Sequence, residues 1–146
     1  ITGLDISSGM MDVAKRHASE KKLDIEFIKS NVESIPLNDN GVDVVINRSL
    51  MWTLLKPVDA LKEWLRVLKP GGKLLCICTI GKGSHSSNHY NQEIEDMLPL
   101  KGADEAKFLE ALSAAGYKEL EAIPLTGVRN IHGDKAWYII KGIKSA

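Results

Sequence analysis

The feature that most constrains this chain is a rhythm in which short runs of branched apolar residues alternate with amphipathic stripes of helical length. The densest runs, Val42 to Ile46 and Leu74 to Ile80, have the pattern of parallel strands buried on both faces. Between them Pro57 suits the first turn of a helix. Ala60, Leu61, Trp64, Leu65 and Leu68 form its apolar stripe, and Lys69-Pro70-Gly71-Gly72 stops it. Upstream, Ile1 to Ile6 reads as a short strand that ends at an acid. Ser7-Ser8-Gly9 then offers cap chemistry for a helix from about Ser8 to Lys22, with Met10, Met11, Ala14 and Ala18 on one side. Ile25 to Ile28 is a second strand and Asn31 to Asn40 a polar loop.

Downstream, Asp104 caps a helix that carries Phe108, Leu109, Leu112 and Ala115 on one face and ends at Gly116. Two strands follow, Tyr117 to Ile123 and Ala136 to Ile143, with no helix between them, so they should pair as an antiparallel hairpin. This order predicts an α/β fold: one three-layer, doubly wound, mostly parallel sheet over residues 1–146, closed by that hairpin.

Composition narrows the partners. With 44% hydrophobic residues in 146, the chain has ample apolar content for a core. Lys+Arg 19 balances Asp+Glu 19, so no basic footprint points to nucleic acid. No run approaches the roughly 18 apolar residues of a membrane span, so no membrane partner is expected. Cys76 and Cys78 alternate within one strand and should share a face as small hydrophobes. Two cysteines are too few for a disulfide framework, which suits a reducing, cytoplasmic setting.

Ligands of open α/β sheets bind outside the carboxyl ends of the strands. Asp5 stands at such an end, where a carboxylate can take the vicinal hydroxyls of a ribose or simply face the dipole of the following helix. Asn31-Val32-Glu33 ends the second strand, and its backbone amide and polar side chains could pair with an adenine edge or form an ordinary turn. Asn47-Arg48-Ser49 ends the third, followed by Met51-Trp52, which reads as exposed. That tripeptide fits a glycosylation acceptor pattern by chance. Trp52 either walls a substrate pocket or packs at a helix start, and Trp64 reads as plain packing.

Residues 81–103, rich in Gly, Ser, Asn and His, are long for a passive connection and form a candidate substrate loop. His85, His89, Tyr90 and Glu93 are its candidates for removing a proton. His85 and His89 lie four apart, as a helical metal pair would, but nothing supplies further ligands. A solvated loop is the simpler account, and no metal is expected.

Three strings, ITGLDISSGMM, SNVESIPLNDNGVDVVINRSL and ALKEWLRVLKPGGKL, follow one another here. In order and spacing they resemble the class I S-adenosylmethionine-dependent methyltransferases, over nearly the whole chain. The resemblance implies that Asp5 holds the cofactor ribose and that Ile6 and Met10 pack against the adenosine. Asn31 stands where the family usually has Asp, with a carbonyl able to accept from the adenine amino group. Val32 would offer its amide to the ring, with Glu33 beside it, while Asn47 and Arg48 would approach the methionine moiety through backbone atoms. LKPGG is a structural turn, without the spacing of a phosphate loop.

The implied activity is methyl transfer from S-adenosylmethionine to a small molecule. The alternatives are a non-catalytic relative that binds a nucleoside or a partner, and another Rossmann-type nucleotide enzyme. One departure matters. The family's glycine-rich loop and the strand before it do not precede Asp5. That strand sits at the sheet centre, between the strands ending at Asp5 and at Ile46. Without it the sheet would split into halves with unpaired interior edges, which is costly, so either residues 1–146 are the C-terminal part of a larger domain, the favoured expectation, or another segment fills the slot.

Overall fold

The computed structural model describes residues 1–81, 90–127 and 136–146. Among these, the chain forms β1 (Thr2–Asp5), α1 (Ser8–Glu20), β2 (Glu26–Lys29), β3 (Val42–Arg48), α2 (Pro57–Val67), β4 (Leu68–Thr79), α3 (Gln92–Asp96), α4 (Glu105–Ala115), β5 (Lys118–Leu125) and β6 (Trp137–Ile143). The expected caps are in place. Ser7 accepts from the Met10 N–H and Asp104 from the Lys107 N–H, each satisfying a donor the helix cannot. Gly116 ends α4 with a left-handed φ of 104°, a conformation glycine adopts without steric cost.

The strands form two sheets. β1 and β2 pair in parallel, and the other four lie in the order β3-β4-β6-β5. β3 runs parallel to β4, while β6 is antiparallel to both β4 and β5, so the C-terminal hairpin inserts its last strand next to β4. The interruption falls between β1 and β3, where the resemblance places a further strand.

The core lies on one face of the four-stranded sheet. Cys76, Cys78 and Ile140 from the strands meet Leu61 and Trp64 of α2 and Phe108 and Leu112 of α4. Each large apolar side chain buried there contributes roughly 1.5–3 kcal/mol. The Tyr117 hydroxyl is buried with them and donates to the Leu61 carbonyl at 3.1 Å, and burial raises its pKa further.

The opposite face corrects the expectation that Val42 to Ile46 is covered on both sides. Val44 is 47% and Ile46 63% exposed, and no described helix packs over them. Cross-strand register continues this apolar face through Leu75, Ile77, Ile139 and Ile123. A second correction concerns Met51 and Trp52, which are buried because a 3-10 turn at Met51–Thr53 folds them inward.

LKPGG also differs from a plain turn. It lies within β4 as a register shift, with Leu68 opposite Val42 but Lys73 opposite Val44. A Cβ on Gly72 would stand 2.7 Å from the Lys69 carbonyl oxygen and 3.1 Å from that of Asp43. Gly72→Ala should therefore destabilise the fold by about 1–3 kcal/mol through overpacking against backbone. A urea midpoint equal to that of the wild type would contradict this steric account.

Candidate functional site

One cavity of about 630 Å³ runs along β1 and β3, from Ile1 and Val42 to Leu4 and Asn47, and is bordered by the turn after β2. Leu4, Val32, Ile46, Asn47, Leu50 and Trp64 are among its lining residues. Asp5 and Asn31 are the chain neighbours of Leu4 and Val32. The parallel register of β1 and β2 sets Asp5 opposite Lys29 and brings the two strand ends level.

Asp5 uses one carboxylate oxygen to accept the Ser7 N–H at 2.7 Å. Its other oxygen has no partner among the described residues. Beyond it Ile6 and Met10 are apolar yet 67% and 59% exposed, an unsatisfied surface beside a free carboxylate oxygen. Asn31 to Ser34 form a tight turn closed by the Ser34 N–H on the Asn31 carbonyl at 3.1 Å. The Asn31 side chain accepts the Glu33 N–H at 3.1 Å, which fixes its direction. Among the described residues no acceptor pairs with the Val32 N–H.

At the end of β3 the Asn47 amide turns into the sheet and donates to the Cys76 sulfur at 3.2 Å. Its Oδ1 is buried without a partner. Arg48 is exposed, and Ser49 takes a φ of 55°, a left-handed conformation that non-glycine residues rarely adopt. Such strain collects where a chain must present its backbone to a ligand.

Helix α2 supports this rim. Its Trp64 indole donates to the Val32 carbonyl at 2.9 Å. Glu63 accepts the Ile35 N–H at 2.7 Å, and Arg66 donates to the Ile35 and Leu37 carbonyls, each at 2.9 Å. Arg66 also pairs with Glu63 and, at 2.6 Å, with Asp39. These bonds were not expected: their partners lie some thirty positions apart, beyond any local pattern.

Of the candidates for removing a proton, His85 and His89 lie outside the described residues, while Tyr90 and Glu93 are exposed. Glu95, not singled out by sequence, is buried and pairs with Lys101, and its Oε1 has no partner among the described residues. Burial pushes the Cys76 and Cys78 thiols up to about 12, as suits inert hydrophobes. A second cavity of about 420 Å³, between the start of α2 and α4, shares no lining residue with the first.

The arrangement is that of a Rossmann-like α/β ligand site. Residues 1–76 match the family described as Methyltransferase domain, and the chain belongs to this S-adenosylmethionine-dependent methyltransferase family. It is similar to a ubiquinone biosynthesis O-methyltransferase of Coxiella burnetii, 25% identical over 90% of this chain and 57% of that protein. A demethylmenaquinone methyltransferase of Lactococcus lactis is 34% identical over 75% of this chain and 44% of its own length. The chain thus spans about half the length of these relatives. Among solved structures, the S-adenosylmethionine-dependent methyltransferase of Aquifex aeolicus shares the fold, with a TM-score of 0.74 and 21% identity over 98% of this chain and 68% of that one. The cyclase SpnF shares it too, with a TM-score of 0.76 and 21% identity over 100% of this chain and 66% of its own.

Two outcomes test the electrostatics. Both cysteines should resist a thiol reagent in the native protein at about pH 8 and react fully once it is denatured; rapid native reaction of either would refute their burial. Arg66, helped by the Ile35 N–H, holds the Glu63 carboxyl below its usual 4.5 despite burial. A lowered folded value stabilises above the unfolded one and is lost as pH falls through the folded one. The stability gap between wild type and Glu63→Gln should be level from about pH 5 to 8 and shrink below about pH 4. A gap independent of pH down to unfolding would contradict it.

Proposed function

We propose that this protein transfers a methyl group from S-adenosylmethionine to a small-molecule acceptor, with a quinone-type ring the acceptor class to test first. The supporting observation is that Val32, after β2, and Asn47, at the end of β3, line one cavity with Leu4, whose neighbour Asp5 ends β1. The donor set suits an adenosyl group: a carboxylate for two ribose hydroxyls, apolar Ile6 and Met10 for the base, and a free Val32 N–H beside the Asn31 carbonyl. Backbone around Asn47 and Arg48 would hold the amino-acid end. When bound, the sulfonium supplies an activated methyl, so the chain's own part is to hold, align and exclude water. The acceptor class follows from the names of the two relatives, both concerned with quinones.

The acceptor side falls to residues 81–103 and Trp52, which follow the ends of β4 and β3. His85, His89 and Tyr90 are the candidates there for taking a proton, with Glu95 added for its unpartnered oxygen. Residues 1–146 are read as the C-terminal part of the domain; a further strand of the same protein would fill the cavity along β1 and β3 from Ile1 and Val42 upward, leaving its mouth at Leu4, Val32 and Asn47 to the ligand. The exposed Val44–Ile46 face and the extra length of the relatives support that reading. The cyclase shows that the fold by itself does not specify methyl transfer, so activity has to be measured. No described helix is long and apolar enough to cross a membrane, and two free buried thiols suit a cytoplasmic setting.

Incubation of the full-length protein with labelled S-adenosylmethionine and a panel of quinols should yield labelled product and equimolar S-adenosylhomocysteine. Binding of S-adenosylhomocysteine with no transfer to oxygen, nitrogen or carbon acceptors would favour a non-catalytic binding domain instead. Asp5→Ala should weaken S-adenosylhomocysteine binding by about 1–3 kcal/mol if two charge-assisted ribose bonds are lost. Unchanged affinity would remove Asp5 from the site.

A further inference from the structure

We infer that Glu63, Trp64 and Arg66 act as a positioning clamp that sets the hydrogen-bonding edge of the Asn31–Ser34 turn and so selects adenine over other purine bases. The inference rests on the adenosyl-binding reading above and deepens it. The turn carries two complementary groups on adjacent residues. One is the Val32 N–H, a donor without a partner among the described residues. The other is the Asn31 Oδ1, which accepts one bond from the Glu33 N–H and keeps a second lone pair. Adenine presents the matching edge, an amino donor next to a ring-nitrogen acceptor. Hypoxanthine presents the reverse, a carbonyl next to a ring N–H, and meets like against like at both positions.

Such selectivity requires the turn to hold its peptide planes fixed, because a loop free to rotate would accommodate either base. The Ser34 N–H on the Asn31 carbonyl sets the first plane and turns the Val32 N–H outward, opposite that carbonyl. The Trp64 indole, itself buried in the core, holds the next plane through the Val32 carbonyl. Glu63 and Arg66 then grip Ile35 and Leu37, while Arg66 reaches Asp39, so the turn cannot drift along the chain. All three anchors stand on one helix, whose buried Ala60, Leu61 and Val67 tie it to the core. Each reaches the turn through its backbone groups.

The test is calorimetric titration of the full-length protein with S-adenosylhomocysteine and with its inosyl counterpart. Trp64→Phe keeps the ring and removes the donor. It should weaken adenosyl binding about tenfold while leaving inosyl binding within about twofold, so that the ratio of the two affinities falls about tenfold. Hydrogen exchange of residues 31–39 in the unliganded variant should rise in parallel. Glu63→Gln, which keeps the shape of a half-buried side chain and removes its charge, should lower the ratio about threefold and carries the test if Trp64→Phe does not fold. A folded variant with an unchanged ratio, or one that loses both ligands equally, would overturn the clamp while leaving adenosyl binding intact. No binding of S-adenosylhomocysteine by the wild type would overturn the clamp and the reading beneath it.

Discussion

A loop without regular structure must still satisfy its carbonyls, and residues 31–41 do so by leaning on α2. The Arg66 guanidinium takes the carbonyls of Ile35 and Leu37 and is itself balanced by Glu63 and Asp39. In return the loop and the C-terminal tail satisfy the end of the helix: the Asn40 and Gly41 N–H groups cap the Arg66 and Val67 carbonyls, and Lys144 reaches those of Arg66 and Leu68. A planar fork of five donors can serve this many acceptors at once, and a lysine could not. With the loop held to α2, and α2 held to the core by Trp64 and Leu61, the turn that carries Val32 inherits the rigidity of the sheet. The ion pairs are partly screened at the surface, so their value lies more in fixing geometry than in raw stability.

The same sheet has an unequal pair of faces. One is sealed by α2 and α4, with cysteines and Ile140 inside; the other offers Val44, Ile46 and their cross-strand neighbours to solvent. β1 and β3 border a common cavity without pairing with each other. An apolar face beside two open strand edges is costly for an isolated chain, since unpaired edges also invite association with other strands.

Local chemistry was the legible part of the sequence. Ser7, Asp104 and Gly116 act at helix ends as their side chains or lack of one dictate, and the final hairpin pairs as its turn-rich interval implied. What failed did so for non-local reasons. A β-branched run reports that a strand is apolar, not whether a helix covers it, so Val44 and Ile46 were misread. Met51-Trp52 lies in the short run Leu50 to Leu55, too brief to carry a periodicity that reveals its burial. Trp64 was correctly placed in the core, but its indole bond reaches Val32 far upstream. Glu95 sits in a polar string, QEIED, in which nothing marks one carboxylate as buried. The side chain of Asn47 donates to Cys76 twenty-nine positions downstream, a partner no local pattern marks.

In the proposed reading, an adenosyl ligand would sit across the carboxyl ends of β1, β2 and β3, against a turn held by α2. Backbone amide NMR of the full-length protein, titrated with S-adenosylhomocysteine, tests it directly. The resonances of Asp5, Val32 and Arg48 should shift together and saturate at one concentration, while those of Lys56 and Lys107 beside the second cavity stay in place. Shifts centred on the second cavity, with Val32 unmoved, would contradict the account.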